Sequence, residues 1–408
     1  MIVLQALRWL LLIAELCIAI PILYLCIVSV AALCATVWQR HAAARSAGQS
    51  ESALLSFAIL VPAHNEQAIL GVLLENLSQL AYPKDQYAVY VVADNCTDNT
   101  VGLARATGWV RVYERFDAEK RGKGYALNWL MQKLDEDQLV HDAYVILDAD
   151  SVVVPNFLQA MARELARGTR ALQGCNTVLN VTDSPSTALR WLALTLVNHV
   201  RSLGRNALGG SSTLNGNGMC LSRALLQRYP WQAFSLAEDY QYYLTLIEQG
   251  ERVRYVPAAI VRSEMPTTFT QMRTQDIRWE ASTGGASTWQ TARRLLKAGL
   301  KSRDFARLEA IAELLTPPLS LMVGCCLLAV VCSLALWSWP ELIVSLLLTG
   351  GMVCYIATAF YTMRPPRAVY RALLHAPAFM LWKLWVFFVL RRSKKYTGEW
   401  VRTSRTVS

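Results

Sequence analysis

Apolar residues follow two different rhythms along this chain, and the change of rhythm divides it. Residues 9–38 are apolar on every side with Glu15 as their one charge, and 314–337 and 342–363 are uncharged runs of the same kind, parted by Ser338, Trp339, Pro340 and Glu341. A bilayer core needs about 20 consecutive apolar residues, so each run is expected to span a membrane, with Trp9 and Trp38 at the interfaces of the first. Residues 376–390 are apolar and aromatic but short, and they carry Lys383. They read as a helix lying in the interface or re-entering the bilayer, with the lysine reaching water. Between these runs the rhythm shortens. Residues 56–61, 87–93, 110–113 and 144–147 are compact β-type runs, whereas 68–80, 100–107 and 124–133 repeat apolar residues at helical spacing. Strands alternating with helices predict an α/β domain, a mostly parallel sheet with helices on both faces and ligands at the carboxyl ends of its strands. Further on, helices are expected over 155–168, 186–203 and 269–284, a strand over 171–181, and a helix running from Ala237 to Gln249.

This pattern predicts an N-terminal transmembrane helix at 1–40, a linker at 41–53 and a globular domain at 54–292. An amphipathic connector at 293–313, two transmembrane helices within 314–363, and an interfacial or re-entrant helix with a basic tail at 364–408 complete the chain. Composition agrees, with 54% hydrophobic and 17% charged residues. The net charge of +10 changes the picture in one respect. Much of the excess flanks the apolar runs: Arg40 and Arg45, then Lys297, Lys301, Arg303 and Arg307, then Arg364, Arg367 and Arg371. Basic flanks stay on the cytoplasmic side, which places the globular domain and the C-terminus there and the 338–341 hairpin outside. Anionic membrane lipids, and no nucleic acid, are the expected partners of that charge. The ten cysteines fall mostly in the apolar runs without metal-type spacing and read as free thiols.

Candidate chemistry gathers where strands end. Asp148 and Asp150 leave the 144–147 strand one residue apart, and crowded carboxylates are costly to desolvate unless a cation or hydrogen bonds offset them. Either this is a solvated turn, or a hard cation sits there with one or two carboxylates and substrate phosphates. Polar loops at 62–66, 94–99 and 121–124 fall at the same edge of the expected sheet, and a glycine-rich stretch at 209–219 permits close backbone approach to a ligand.

Taken in order, Pro62 to Glu66, Asp94, Asp148-Ala-Asp150, Glu238-Asp239 and Gln275-Asp-Ile-Arg278-Trp279 make the central region, from about 54 to about 291, resemble the family 2 inverting glycosyltransferases of GT-A (Rossmann-like) fold. Within that family the chain looks most like membrane-bound synthases of the cellulose, chitin, hyaluronan and poly-N-acetylglucosamine type. It departs from them at Ala237, where a threonine is usual, and at Asn215 to Gly218, which matches their glycine motif loosely.

The resemblance implies a hexosyltransferase that moves a sugar from a UDP-sugar, with inversion to a β-linkage, onto a growing exopolysaccharide or capsular polysaccharide. The alternative acceptor is a membrane lipid, as in ceramide glucosyltransferase-like enzymes. It implies that Pro62, Ala63, Glu66 and Asp94 hold the nucleotide, with Lys123 near the phosphates, and that Asp148 and Asp150 meet Mg²⁺ or Mn²⁺ and the diphosphate. Asp239 would be the general base, Arg278 the partner of the leaving diphosphate, and Trp279 the stacking face for acceptor within the motif that Gln275 opens. A multi-pass protein of the bacterial inner membrane is implied, and so few spans imply a secretion partner or a homo-oligomer for polymer export.

Overall fold

The computed structural model describes residues 2–45, 54–267 and 286–392, which form two compact units. By described residues, one unit gathers 54–187 and 211–267, the other 2–45, 188–210 and 286–392. The expected helix at 269–284 lies outside the described residues.

In the first of these units, β1 (Phe57–Ala63), β2 (Tyr87–Asp94), β3 (Arg111–Arg115) and β4 (Ala143–Ile146) pair in parallel in the order β3-β2-β1-β4. The sheet of the described residues then continues through β7 (Met219–Ser222), β6 (Ala171–Val178), β8 (Val253–Ser263) and β5 (Ser151–Val153). β7 and β5 run antiparallel to their neighbours, while β6 and β8 pair in parallel. The mostly parallel sheet is as expected, but β5, β7 and β8 were not legible as strands. All three lie beyond the alternating half, and β5 and β7 are short runs whose ladder partners lie far along the chain.

Strand β1 is buried at six of its seven positions, as a central strand covered on both faces must be. Phe57, Ile59 and Val61 join one core with Leu70, Leu73, Leu74 and Leu77 of α2 (Leu70–Ser78) and with Phe157, Leu158 and Met161 of the helix Phe157–Ala166. Ala58 and Leu60 point the other way along the pleat, toward the side where the helix Lys123–Glu136 buries Leu127, Leu130 and Leu134.

The other unit is built on α1 (Ile2–Arg45), of which Ile2–His41 is long and apolar enough to cross a membrane, and a second such helix, Trp339–Met363. They run parallel. Arg8 Nη2 donates to the Leu336 carbonyl (2.8 Å) just before that helix begins, and Arg40 Nη2 donates to the Tyr361 and Thr362 carbonyls (3.3 Å each) where it ends. The run at 314–337, expected as one span, is instead divided between Phe305–Leu315 and Leu319–Ala335, bent by 65° at Thr316, Pro317 and Pro318. Two successive prolines remove two amide donors, so the helix cannot continue through them. The membrane-type helices thus number two among the described residues, or three if the bent pair is one span.

The helix expected at 186–203 is also divided, into Pro185–Leu194, a π-helical turn at Thr195–Arg201, and Ser202–Ala207. Gly204 in the last piece lies where an added Cβ would strike the Val28 carbonyl of α1. Buried charges nearby are paired. Arg205 Nε donates to Glu309 Oε1 (2.6 Å) and Nη2 to Oε2 (3.1 Å), and Tyr24 adds its hydroxyl to Glu309 Oε1 (2.6 Å). Arg201 holds Glu313 Oε1 (3.1 Å) and the Tyr355 hydroxyl (2.9 Å). Such pairs offset the desolvation that each charge would otherwise suffer, and removing one partner is the costly change.

Candidate active site

Three elements bring charged residues to one place in the sheet-bearing unit. The helix Lys123–Glu136 opens on Lys123, strand β4 delivers Asp148 just past its end, and the helix Glu238–Glu248 opens on Glu238 and Asp239. Lys123 Nζ donates to Asp148 Oδ1 (2.7 Å) and to the Gly216 carbonyl, and lies 3.6 Å from Glu238 Oε1. Asp239 Oδ2 approaches the same loop, 2.9 Å from where a Cβ on Gly216 would stand. A carboxylate in the first turn of a helix is favoured by the unpaired amides there, and Asp239 Oδ1 accepts the Tyr240 N–H (2.8 Å).

The loop around Gly216 is held by Asn217, a buried residue that the sequence did not single out by role. Its Nδ2 donates to Ser151 Oγ and Ser263 Oγ (2.8 Å each), and its Oδ1 accepts the Asp148 N–H (3.2 Å). Gln173 Nε2 donates to its carbonyl (2.8 Å). Gly216 itself has φ of +72°, which a glycine adopts without the Cβ penalty.

The electrostatics follow from crowding. Burial works against the Lys123 ammonium, but Asp148 and then Glu238 outweigh it, so the lysine is held protonated more firmly than an ordinary one. Burial pushes both the Glu238 and the Asp239 carboxyl up, and Lys123 opposes the rise in each.

A second patch forms where β1 and β2 end. Asp94 is buried, and its Oδ1 accepts from Arg115 Nη1 at 2.6 Å, because β2 and β3 pair with Asp94 opposite Arg115. Burial raises the Asp94 carboxyl despite that guanidinium and an amide bond from Gly122. Sequence reading missed Arg115, since only the strand register places it beside Asp94. His64 Nδ1 sits 2.7 Å from the Asp94 carbonyl, a structural tie. Pro62 and Ala63 close β1, while the Glu66 N–H donates to Thr100 Oγ1 (2.9 Å), and Asn65 Oδ1 accepts the Thr97 (2.6 Å) and Asp98 (3.2 Å) amides. The two patches are linked through residues 120–123, as Arg115 Nη2 donates to the Lys120 carbonyl (2.7 Å).

Of the expected site residues, Lys123, Asp148 and Asp239 come together, whereas Pro62, Ala63, Glu66 and Asp94 line the neighbouring strand ends. Gln275, Arg278 and Trp279 lie outside the described residues. Asp150 follows in the turn into β5, with the Ser151 hydroxyl 3.5 Å from its Oδ1. Among the described residues no three His, Cys, Asp or Glu side chains are placed to hold a metal by themselves. Asp148 and Asp150 nevertheless fit a Mg²⁺ or Mn²⁺ ion held jointly with a diphosphate, since a hard cation takes one or two carboxylates and completes its shell with phosphate oxygens and water.

The family model described as "Glycosyltransferase like family 2" matches residues 55–282. The chain is 29% identical over 229 residues to a beta-monoglucosyldiacylglycerol synthase of Nostoc sp., covering 54% of this chain and 47% of that protein. It is 25% identical over 358 residues to a probable glucomannan 4-beta-mannosyltransferase of Oryza sativa, covering 83% of this chain and 58% of that one. These matches span about half the length of the relatives. Among solved structures, it is similar to a mannosyltransferase from Pyrobaculum calidifontis in complex with GDP-mannose and Mn²⁺, at 17% identity and a TM-score of 0.48, covering 84% of this chain and 99% of that one.

Proposed function

Since the chain belongs to the glycosyltransferase-like family 2 proteins, we propose that it transfers a sugar from a UDP-sugar, with inversion to a β-linkage, onto the hydroxyl of a membrane lipid headgroup. The observation that carries the reading is Lys123, which gathers Asp148 and Glu238, with Asp239 beside them at Gly216, at the carboxyl end of β4. Two of these groups suit the donor and one suits the acceptor. Asp148 and Lys123 would meet the diphosphate, and Asp150 with Asp148 would hold a divalent cation, which would supply neutralisation of phosphate charge. Pro62, Ala63, Glu66 and Asp94 bound the nucleotide.

Asp239 is the base. The acceptor oxygen attacks the anomeric carbon as the bond from that carbon to the diphosphate oxygen breaks; the bonding pair leaves with the UDP, and the acceptor proton passes to the Asp239 carboxylate. Burial that raises this carboxyl makes it a stronger base than a solvated aspartate. Arg278 suits the charge developing on the leaving diphosphate as a planar fork, and Trp279 offers acceptor a flat face, within the motif that Gln275 opens.

A lipid acceptor ranks ahead of a polymer because the synthase of Nostoc sp. is named for a diacylglycerol lipid. Polymer elongation is the second reading, favoured by the glucomannan mannosyltransferase relative, and it would call for a secretion partner or a homo-oligomer. We place the sheet-bearing domain on the cytoplasmic side of a bacterial inner membrane crossed more than once.

The test is product mass spectrometry with purified full-length protein, Mg²⁺ or Mn²⁺ and a panel of UDP-sugars, with and without lipid extract. A single sugar on extracted lipid is the expected result; a ladder of oligosaccharides without lipid would move the assignment to the polymer. In the same assay Asp239→Asn should keep donor affinity within about twofold and lose at least about 10²-fold in turnover. Equal turnover would remove Asp239 as base.

A further inference from the structure

The helix Ala286–Ser302 belongs to the unit of membrane-type helices and directly precedes Phe305–Leu315. Its inner face packs: Leu295 is fully buried, Ala292 is nearly so, and Gly299 lies where an added Cβ would press on Leu308. Its outer face carries a stripe that an ordinary solvated helix would not keep. Trp289, Leu296 and Leu300 are 62%, 46% and 62% exposed among the described residues. At 100° per residue these three fall within a narrow arc, and Arg293, Lys297 and Lys301, all exposed, follow along one side of it. No acidic residue occurs between Ala286 and Arg303.

We infer that this helix lies on the bilayer surface and binds anionic lipid headgroups, with Trp289, Leu296 and Leu300 entering the acyl boundary and Arg293, Lys297 and Lys301 meeting headgroup phosphates. The argument is charge complementarity joined to shape. A one-sided apolar arc with a contiguous basic arc matches the two layers of an interface, where apolar burial and attraction to anionic lipid act together. A protein partner would be expected to offer a mixed-charge rim; the uniformly basic edge instead fits a surface of one sign. The inference rests on the membrane placement of this unit and not on the proposed chemistry.

The test is hydrogen–deuterium exchange of the full chain in nanodiscs of phosphatidylcholine alone and of phosphatidylcholine with phosphatidylglycerol, without donor or acceptor. Amides over 290–302 should exchange about tenfold more slowly with the anionic lipid, and the difference should shrink at high salt. In the triple variant R293Q/K297Q/K301Q the difference should vanish while the sheet-bearing unit keeps its protection. Equal exchange in the two bilayers for the natural chain overturns the inference. A difference that survives in the triple variant also overturns it, because the lipid dependence would then arise from residues other than Arg293, Lys297 and Lys301. Because no sugar transfer is measured, failure here is distinct from failure of the proposed reaction.

Discussion

Lys123 is the residue on which the candidate site turns, because among the described residues it is the cation set among Asp148, Glu238 and Asp239. As the proposed base, Asp239 would have to be ionised to take a proton, and burial lifts its carboxyl above the 3.8 of an ordinary aspartate, so activity should fall as pH drops through that raised value. Lys123 opposes the rise. Lys123→Met should therefore move the acid limb of the kcat/KM profile to higher pH, as well as lowering its plateau. An acid limb that stays in place or moves down would dissociate Lys123 from the base. Arg115 makes a separate case at the same scale. Its side chain is 5% exposed and that of Asp94 9%, so Arg115→Ala would strand a buried carboxylate. The expected cost is about 3–5 kcal/mol, read as loss of thermal stability in detergent, with most of it recovered in Asp94→Asn/Arg115→Met. A cost under about 1 kcal/mol would mean that water reaches the pair.

Among the elements, the loop that carries Gly216 is the most constrained. Gly216→Ala places a Cβ 2.9 Å from Asp239 Oδ2 on a backbone at φ +72°. About 1 kcal/mol of backbone strain is expected, with a larger fall in kcat than in donor affinity as Asp239 is displaced. A fall in donor affinity alone would place the loop on the nucleotide side instead. The elements also separate what sequence can and cannot convey. Strands β1, β2 and β4 were legible as buried apolar runs, β1 and β2 each followed by a helix, whereas β3 is buried only at Arg115 and was read from its β-type run at 110–113. Strand β8 was not, for Val253–Ser263 includes Pro257, Arg254 and Arg262 and is held by pairing with β6 and β5, which lie far away in sequence. The division at Pro317 and Pro318 was visible in the residues, but apolar content alone made 314–337 look continuous.

For the molecule as a whole, the parallel course of α1 and Trp339–Met363 brings Arg40 to the end where Arg364 and Arg367 follow, and Arg8 to the end where Ser338 begins the next helix. Reporter fusions should therefore report residues 46–53 and 364–367 on one side of the membrane and the 336–338 hairpin on the other. Fusions that put 46–53 and 364–367 on opposite sides would overturn this arrangement. The sequence by itself determined the alternation of apolar runs with a strand-and-helix domain, because period and length are local properties that need no folded partner, and its ordered motifs carried the resemblance to family 2 that marked Asp148, Asp150 and Asp239 as candidates. Only the tertiary structure decided that Arg115 faces Asp94, that Asn217 holds the turn under Asp148, and that Lys123 stands among carboxylates from distant elements. Those are consequences of strand register and of helix starts meeting at one sheet edge, and residues that converge through pairing leave no mark on their own stretch of chain.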